Sequence, residues 1–266
     1  MELLNIAPAP ILPTTMWLVF RVLNETNELT REELIDAACP PTMLEGTPGS
    51  GAHIKRAIDA LKIFDMIEIG AGDVHRVRTA LDLQAFTRTL RQRVLIPSNE
   101  SEQRADDLLR ALDWLVDQTP GVPYEFPTSG VFVNDTRWNS FNYWASFLGF
   151  ARDWPLSESE RSVDPSAAVF DAIFHSAGVA FREGTIEIAL LLQHIESELP
   201  LLRSAEVDGV RTVLPSTAFA LRSLVAQGRL RLERAADAKS VVRLPAGAGA
   251  KEENYISHAT VLGATS

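Results

Sequence analysis

The chain has 266 residues and a mass of 29.3 kDa, a length that suggests two or three compact units rather than one small domain. Apolar residues make up 46% and charged residues 23%, which excludes disorder along the whole length. The net charge of −10 argues against a uniformly basic nucleic-acid coat but leaves room for a local basic face.

From Pro13 to Asn27, Met16, Val19, Phe20 and Leu23 recur at i, i+3, i+4 and i+7, which predicts a helix with one apolar stripe. Thr30-Arg31-Glu32-Glu33 opens a second helix with a capping box, in which Thr30 accepts from the Glu33 backbone while Glu33 reaches back. Leu34, Ile35 and Ala38 pack it, and Cys39-Pro40-Pro41 ends it. A loop rich in Gly and Pro, from Thr42 to Pro48, leads to Ser50, the expected cap of a third helix. Ile54, Ile58 and Leu61 face inward there, leaving His53, Lys55, Arg56, Asp59 and Lys62 for the outer sides. After Phe64 the apolar period falls from 3.6 to 2 at Ile67 and Ile69; Gly70 to Asp73 turns, and Val74 to Val77 returns as a second strand. Three short helices followed by a hairpin resemble the winged helix-turn-helix superfamily, over roughly residues 10–80.

Charge is unevenly spread beyond this point. Arg76 to Arg93 holds five arginines against one acid, Asp82, whereas Glu100 to Glu125 holds seven acids against two arginines. An acidic middle between basic flanks fits a protein with more than one binding surface, and it equally fits a solvated helix face.

Ten of the twenty aromatic residues fall between Tyr124 and Trp154. Trp138, Phe141, Trp144, Ala145 and Leu148 keep helical spacing, and Tyr143, Phe147 and Phe150 widen the stripe, so a buried helix running toward Trp154-Pro155 is expected. Stacking of these rings on unpaired bases would need basic neighbours, and only Arg137 and Arg152 are near. Val163-Asp164-Pro165-Ser166 leads into a further helix from Ala167 to Ser176.

The phase of the first segment reappears 163 positions later: Ile58, Leu61, Ile67 and Ile69 correspond to Leu221, Leu224, Leu230 and Leu232. A long helix is expected from Thr185 to Leu202, then one capped by Ser216 and ended by a left-handed Gly228. Leu230 and Leu232 then alternate with Arg229 and Arg231, Ala235 to Ala238 turns, and Val241 to Leu244 comes back as the partner strand. This resembles a second winged helix over about 184–245. The expected architecture is thus mainly α with small β-hairpins (α+β), with tandem winged-helix units joined by a helical, aromatic-rich middle layer. The divisions are 1–95, 96–183 (a joining layer or a degenerate third unit), 184–245, and a linker and tail over 246–266, where Tyr255 to Val261 could add a strand.

Candidate DNA contacts are His53, Lys55, Arg56 and Lys62 on the third helix, Arg76 on the first hairpin, Arg222 on the later helix, and Arg229, Arg231, Arg234, Lys239 and Arg243 on the second hairpin. Alternation turns Arg229, Arg231 and Arg243 toward water. Arginines on a wing reach phosphates or the minor groove, and strand residues that face water are polar in any case; both readings stay open.

Recognisable catalytic chemistry is not expected. Gly46-Thr47-Pro48-Gly49-Ser50-Gly51 continues into Ala52-His53 and lacks the Lys-Ser/Thr of a phosphate-binding loop. The histidines at 53, 75, 175, 194 and 258 lack metal-ligand spacing, and Asp106, Asp107, Glu100 and Glu102 read as a helix surface rather than a cation loop. The single cysteine, Cys39, has no recognisable base nearby and reads as a small buried hydrophobe; it rules out an internal disulfide framework and suits a reducing compartment. No apolar run exceeds five residues, and the start, with Glu2 and early prolines, does not read as a signal peptide, so a cytoplasmic chain without membrane spans is expected. No cofactor, metal or small-molecule substrate is expected.

Two stretches resemble a narrower family. Leu3-Leu4-Asn5-Ile6 ahead of the helix-turn-helix, and Trp138-Asn139-Ser140-Phe141-Asn142-Tyr143-Trp144 continued by Phe147-Leu148-Gly149-Phe150 and Val163-Asp164-Pro165, look like the DpdG family. That family is found in bacterial gene clusters for 7-deazaguanine DNA modification and defence. The resemblance implies a setting in phage defence and carries over no catalytic residues. The expected function is a non-catalytic DNA-binding or DNA-recognising accessory component, with duplex DNA and other subunits of a defence complex as partners. The alternative is a winged-helix protein–protein adaptor in such a complex, without direct DNA contact.

Overall fold

Proline lacks the N–H that the first helical turn cannot satisfy, and Pro13 opens α1 (Pro13–Thr26) on that basis. Met16, Val19, Phe20 and Leu23 form its buried stripe, as their spacing requires. The computed structural model describes residues 2–5, 10–39, 51–96, 105–127, 130, 132–175, 184–238, 240–247 and 253–262. The described residues form nine α-helices and several small sheets, a mixed α+β architecture. The chain divides into two units, one of residues 1–111 with 127–147, the other of 112–126 with 148–266.

In the first unit, β1 (Glu28–Thr30) leads directly into α2 (Arg31–Ala38). The capping box is present: Thr30 Oγ1 accepts from the Glu33 backbone, and Glu33 Oε2 accepts from the Thr30 backbone at 2.8 Å. The bonds that the carboxylate accepts, from the Thr30 backbone first and from the Thr30 hydroxyl at 2.8 Å second, hold the Glu33 carboxyl below its ordinary value. The expected loop from Thr42 and its cap Ser50 lie outside the described residues. Next comes α3 (Ala52–Ile63), which buries Ile54, Ala57, Ile58 and Leu61. Strands β2 (Ile67–Ile69) and β3 (Val74–Val77) follow, and the antiparallel sheet has the order β1-β3-β2. Helix α1 packs on both α2 and α3. His75 lies fully buried on the central strand, paired in register with Leu29 and Ile69.

Asp82 caps α4 (Leu83–Leu95) by accepting from the Ala85 backbone at 2.7 Å. Phe86 on this helix sits 5.0 Å from Phe20, 5.2 Å from Trp17 and 6.2 Å from Phe147, ring centre to ring centre. Helix α5 (Asp106–Val116) follows, and α6 (Asp135–Phe147) buries Phe141, Trp144 and Ala145 but turns Asn139 and Tyr143 to solvent. The helix expected to be buried is therefore buried on one side only.

The second unit departs from expectation at its start. The helix does not run on to Trp154; it ends at Phe147, and Gly149 with φ 78° turns the chain into β4 (Ala151–Trp154). Pro155 and Leu156 form the tip of a hairpin whose return strand is β5 (Ser157–Val163). Asp164 then accepts from the Ser166 backbone at 3.0 Å, at the start of α7 (Ser166–His175).

The helix expected from Thr185 also begins later. Thr185 and Ile186 are β-branched and lie in β6 (Gly184–Glu187), and only then does α8 (Ile188–Glu198) start. A hairpin of β7 (Ala205–Val207) and β8 (Val210–Thr212) turns on Asp208-Gly209, with φ of 55° and 73°, the positive pair that a tight two-residue turn demands. Helix α9 (Pro215–Ala226) has Pro215 in its first turn, and Ser216 is not its cap. Ser216 Oγ instead donates to the Val116 carbonyl at 2.7 Å.

The strands that follow are β9 (Leu230–Glu233), β10 (Val242–Leu244), β11 (Asn254–Ile256) and β12 (His258–Val261). Val242–Leu244 does not pair with β9. It runs parallel to β8 and antiparallel to β11, within a sheet of order β11-β10-β8-β7. The partner of β9 is β12, the centre of an antiparallel sheet of order β6-β12-β9.

The two units thus repeat an arrangement. The sequence α1-β1-α2-α3-β2-β3 in the first matches α7-β6-α8-α9-β9-β12 in the second, with the same sheet order and the same antiparallel sense. Adding 163 to each number carries α3 onto α9 residue for residue. The turns that follow obey the same rule. Asp65 and Met66 donate to Lys62 and Leu61, while Gly228 and Arg229 donate to Val225 and Leu224, all four at 2.9 Å. Asp65 has φ 57° and Gly228 φ 69°.

Candidate nucleic-acid interface

The outer side of α3 is set by its own periodicity. With Ile54, Ala57, Ile58 and Leu61 committed to the core, Lys55, Asp59 and Lys62 line the opposite face, and His53 is exposed near the helix start. Arg31 of α2 donates to Asp59 at 2.9 Å, which compensates the one acid on this face. Arg56, also expected there, is turned away: its Nη1 donates to the Asn5 carbonyl at 3.2 Å, in the N-terminal segment.

The first hairpin is less basic than its sequence. Arg76 is ion-paired with Glu68, and with Glu28 at 3.6 Å. The hydrogen bond to Glu68 holds the guanidinium above its ordinary value. Arg78 meets Asp65 at 2.8 Å and Arg93 meets Asp65 at 3.5 Å. The arginine run from 76 to 93 is therefore partly neutralised by acids of its own unit. Exposed pairs of this kind contribute little and are screened by salt.

In the second unit the expected site residues scatter. Arg231 is exposed and pairs with Glu233 at 2.9 Å. Arg234 is exposed beside the Tyr255 ring, and Arg229 is half-buried with its guanidinium 5.8 Å from the Phe170 ring centre. Lys239 lies outside the described residues. Arg243 does not face water: its side chain is 15% exposed, and Nε donates to Thr212 Oγ1 at 3.0 Å. The reason is its strand. In β10 it lies between β8 and β11, and it approaches Asp208 and Glu253 at 3.9 and 3.8 Å. Arg222 on α9 is half-buried, with Nη2 donating to the Leu244 carbonyl at 3.3 Å; burial lowers its value from the ordinary one.

Asp107, expected from the sequence on a helix surface, is buried. Its carboxylate accepts from the backbone N–H groups of Leu3 at 3.1 Å and Leu4 at 2.7 Å, and from Leu108 at 2.8 Å. Leu3 and Leu4 are buried beside it, and Arg137 holds Glu2 at 3.0 Å. Trp144 Nε1 donates to the Ile11 carbonyl at 2.8 Å. Among the residues that carry the family resemblance, Leu3 and Leu4 are thus gripped by Asp107, and Trp144 packs against the chain just before α1. No sequence signal marked Asp107, because an acid in a first helical turn is ordinary.

His194 lies on α8 with Nε2 2.8 Å from the Ala172 carbonyl, and Cys39 is buried and free. Among the described residues no group of three or more His, Cys, Asp or Glu is placed to hold a metal ion, and no helix is long and apolar enough to cross a membrane.

Comparison with curated proteins and with solved structures gives no match. Comparison with protein families gives one that spans residues 1–238, from the N-terminal segment gripped by Asp107 through β9. With all of the described helices inside that match, this chain belongs to the DpdG-like family.

Proposed function

We propose that the chain is a non-catalytic, DNA-binding accessory protein of a bacterial DNA-modification and defence system, and that α1 to β3 form a winged helix whose third helix, α3, contacts the duplex. The family supports the setting, since membership suggests association with a DNA-modification system. The helix order and the β1-β3-β2 sheet support the winged-helix reading. One observation carries the choice of surface: Lys55 and Lys62 stand exposed on one face of α3, with the intervening Asp59 held by Arg31.

Phosphate contacts release counterions, so binding must weaken as salt rises. Titration of a labelled duplex by fluorescence anisotropy at several salt concentrations tests the reading. Replacing Lys55 and Lys62 together by Ala is expected to weaken binding on every sequence and to lower the slope of log K against log salt by about 2, one unit for each phosphate no longer neutralised. Absence of binding at low salt, or an unchanged slope in the double variant, contradicts it.

A second reading, as a protein–protein adaptor, draws on Leu156, which is 86% exposed at the tip of the β4–β5 hairpin. Under that reading, partner proteins co-purify after nuclease treatment and are lost in Leu156→Ser.

A further inference from the structure

The two repeats differ on the face that matters for the proposed DNA contact. Lys55, Asp59 and Lys62 on α3 correspond, at the offset of 163, to Ala218, Arg222 and Val225 on α9, and His53 corresponds to Ser216. Ala218 and Ser216 are fully buried, and the Ser216 hydroxyl is spent on the Val116 carbonyl. Arg222, the one cation left, is drawn onto its own chain. Its Nη2 donates to Leu244 O at 3.3 Å, whereas its Nη1 is buried with no hydrogen-bond partner among the described residues. A Cβ built on Gly247 would stand 3.3 Å from that Nη1, so the backbone after β10 lies directly on the guanidinium.

The cover over Arg222 comes from an insertion. Residues 70–73 suffice to join β2 to β3, but residues 234–257 lie between β9 and β12, and they contain β10 and β11. β10 pairs with β8, so this insertion builds a second small sheet beside the repeat, and its end at Leu244 and Gly247 closes over Arg222. Burial disfavours the charged guanidinium there, a cost that an open, solvated arginine would not carry.

We infer that the second repeat is a closed copy of the first: the chain engages duplex DNA through α3 alone, with one footprint per chain, and a two-fold symmetric site is filled only by two chains. The inference rests on the proposed DNA contact and specifies how many reading surfaces a chain offers.

The full-length protein is titrated with a labelled duplex of about 20 base pairs, long enough for two adjacent half-sites, and both affinity and stoichiometry are read. Arg222→Ala is expected to bind within about twofold of the parent, whereas Lys55→Ala with Lys62→Ala weakens binding by roughly tenfold or more. Since Arg222→Ala alters a packed helix, Arg231→Ala with Arg234→Ala, two exposed residues of the same repeat, gives a second reading, again expected within twofold. Weakening in either second-repeat variant comparable to that of the lysine pair, or saturation with one chain covering both half-sites, overturns the inference and leaves the DNA-binding reading standing. A parent protein that binds no duplex overturns both.

Discussion

Helices α3 and α9 occupy the same place in two repeats, end in the same turn and feed the same kind of sheet, yet they expose opposite chemistries. The first shows two lysines and a histidine; the second shows a valine and buries the serine and alanine that stand in their place. The core pattern is shared, with Ile58 and Leu61 answered by Leu221 and Leu224. A core is constrained by packing in both copies. The outer face is free to diverge, and here an insertion lies over Arg222 while Val116 takes up Ser216. In a duplicated fold, then, a shared skeleton does not imply a shared surface.

The largest effects are expected in the core. Leu61→Ala and Leu224→Ala remove equivalent side chains that are buried alike, and each is expected to cost about 3 kcal/mol, within the usual range for buried leucine. Denaturant melts of the two variants check this; a cost under about 1 kcal/mol in one of them would show that the repeats are not packed equivalently.

The outer face should respond unequally. Ser216→Ala leaves the buried Val116 carbonyl without its donor and is expected to cost about 1–2 kcal/mol, whereas His53→Ala at the equivalent exposed position stays within about 0.5 kcal/mol. Equal effects would remove the distinction between an open and a closed helix.

The smallest effect concerns the helix that precedes each of them. Thr30 caps α2 through a capping box, while Glu187, just before α8, makes no side-chain cap. Thr30→Ala is expected to cost about 1 kcal/mol near neutral pH, and Glu187→Ala less. Because the capping box lowers the Glu33 value in the folded protein, its contribution is present above the unfolded carboxyl value. That contribution is lost as pH falls through the lower folded value. The gap between parent and Thr30→Ala should therefore narrow in acid and be constant above it, as melts across pH will show.

Local features are legible in the sequence. The stripe of α1, the capping box at Thr30, the fall in period after Phe64 and the left-handed Gly228 are each decided within a few residues, and the structure contains all four. The offset of 163 is legible for the same reason, since inward positions repeat wherever packing repeats. Strand partners are not legible. Val242-Arg243-Leu244 and His258-Ala259-Thr260-Val261 both alternate inward and outward, and alternation marks a strand without naming its neighbour. Pairing Val242–Leu244 with β9 would turn Arg243 toward water, when in fact it sits between two other strands. Likewise, the number of arginines between 76 and 93 is plain, but their ion pairs with Glu28, Asp65 and Glu68 depend on strands and turns meeting across the fold. Of the candidate site, the cations of α3 are visible as an outer face; the closure of α9 is not, because its cover comes from residues distant in sequence, Val116 over Ser216 and Leu244 with Gly247 over Arg222.

Lysine reactivity offers the most direct view of the proposed contact, since only four lysines are present and two of them lie on α3. The full-length protein is acetylated with and without saturating duplex at low salt, and modification is read at each lysine by mass spectrometry. Lys55 and Lys62 are expected to react freely alone and to be protected when duplex is bound. Full reactivity of both lysines in a complex that demonstrably contains DNA would place the contact elsewhere and contradict the reading of α3 as the open helix.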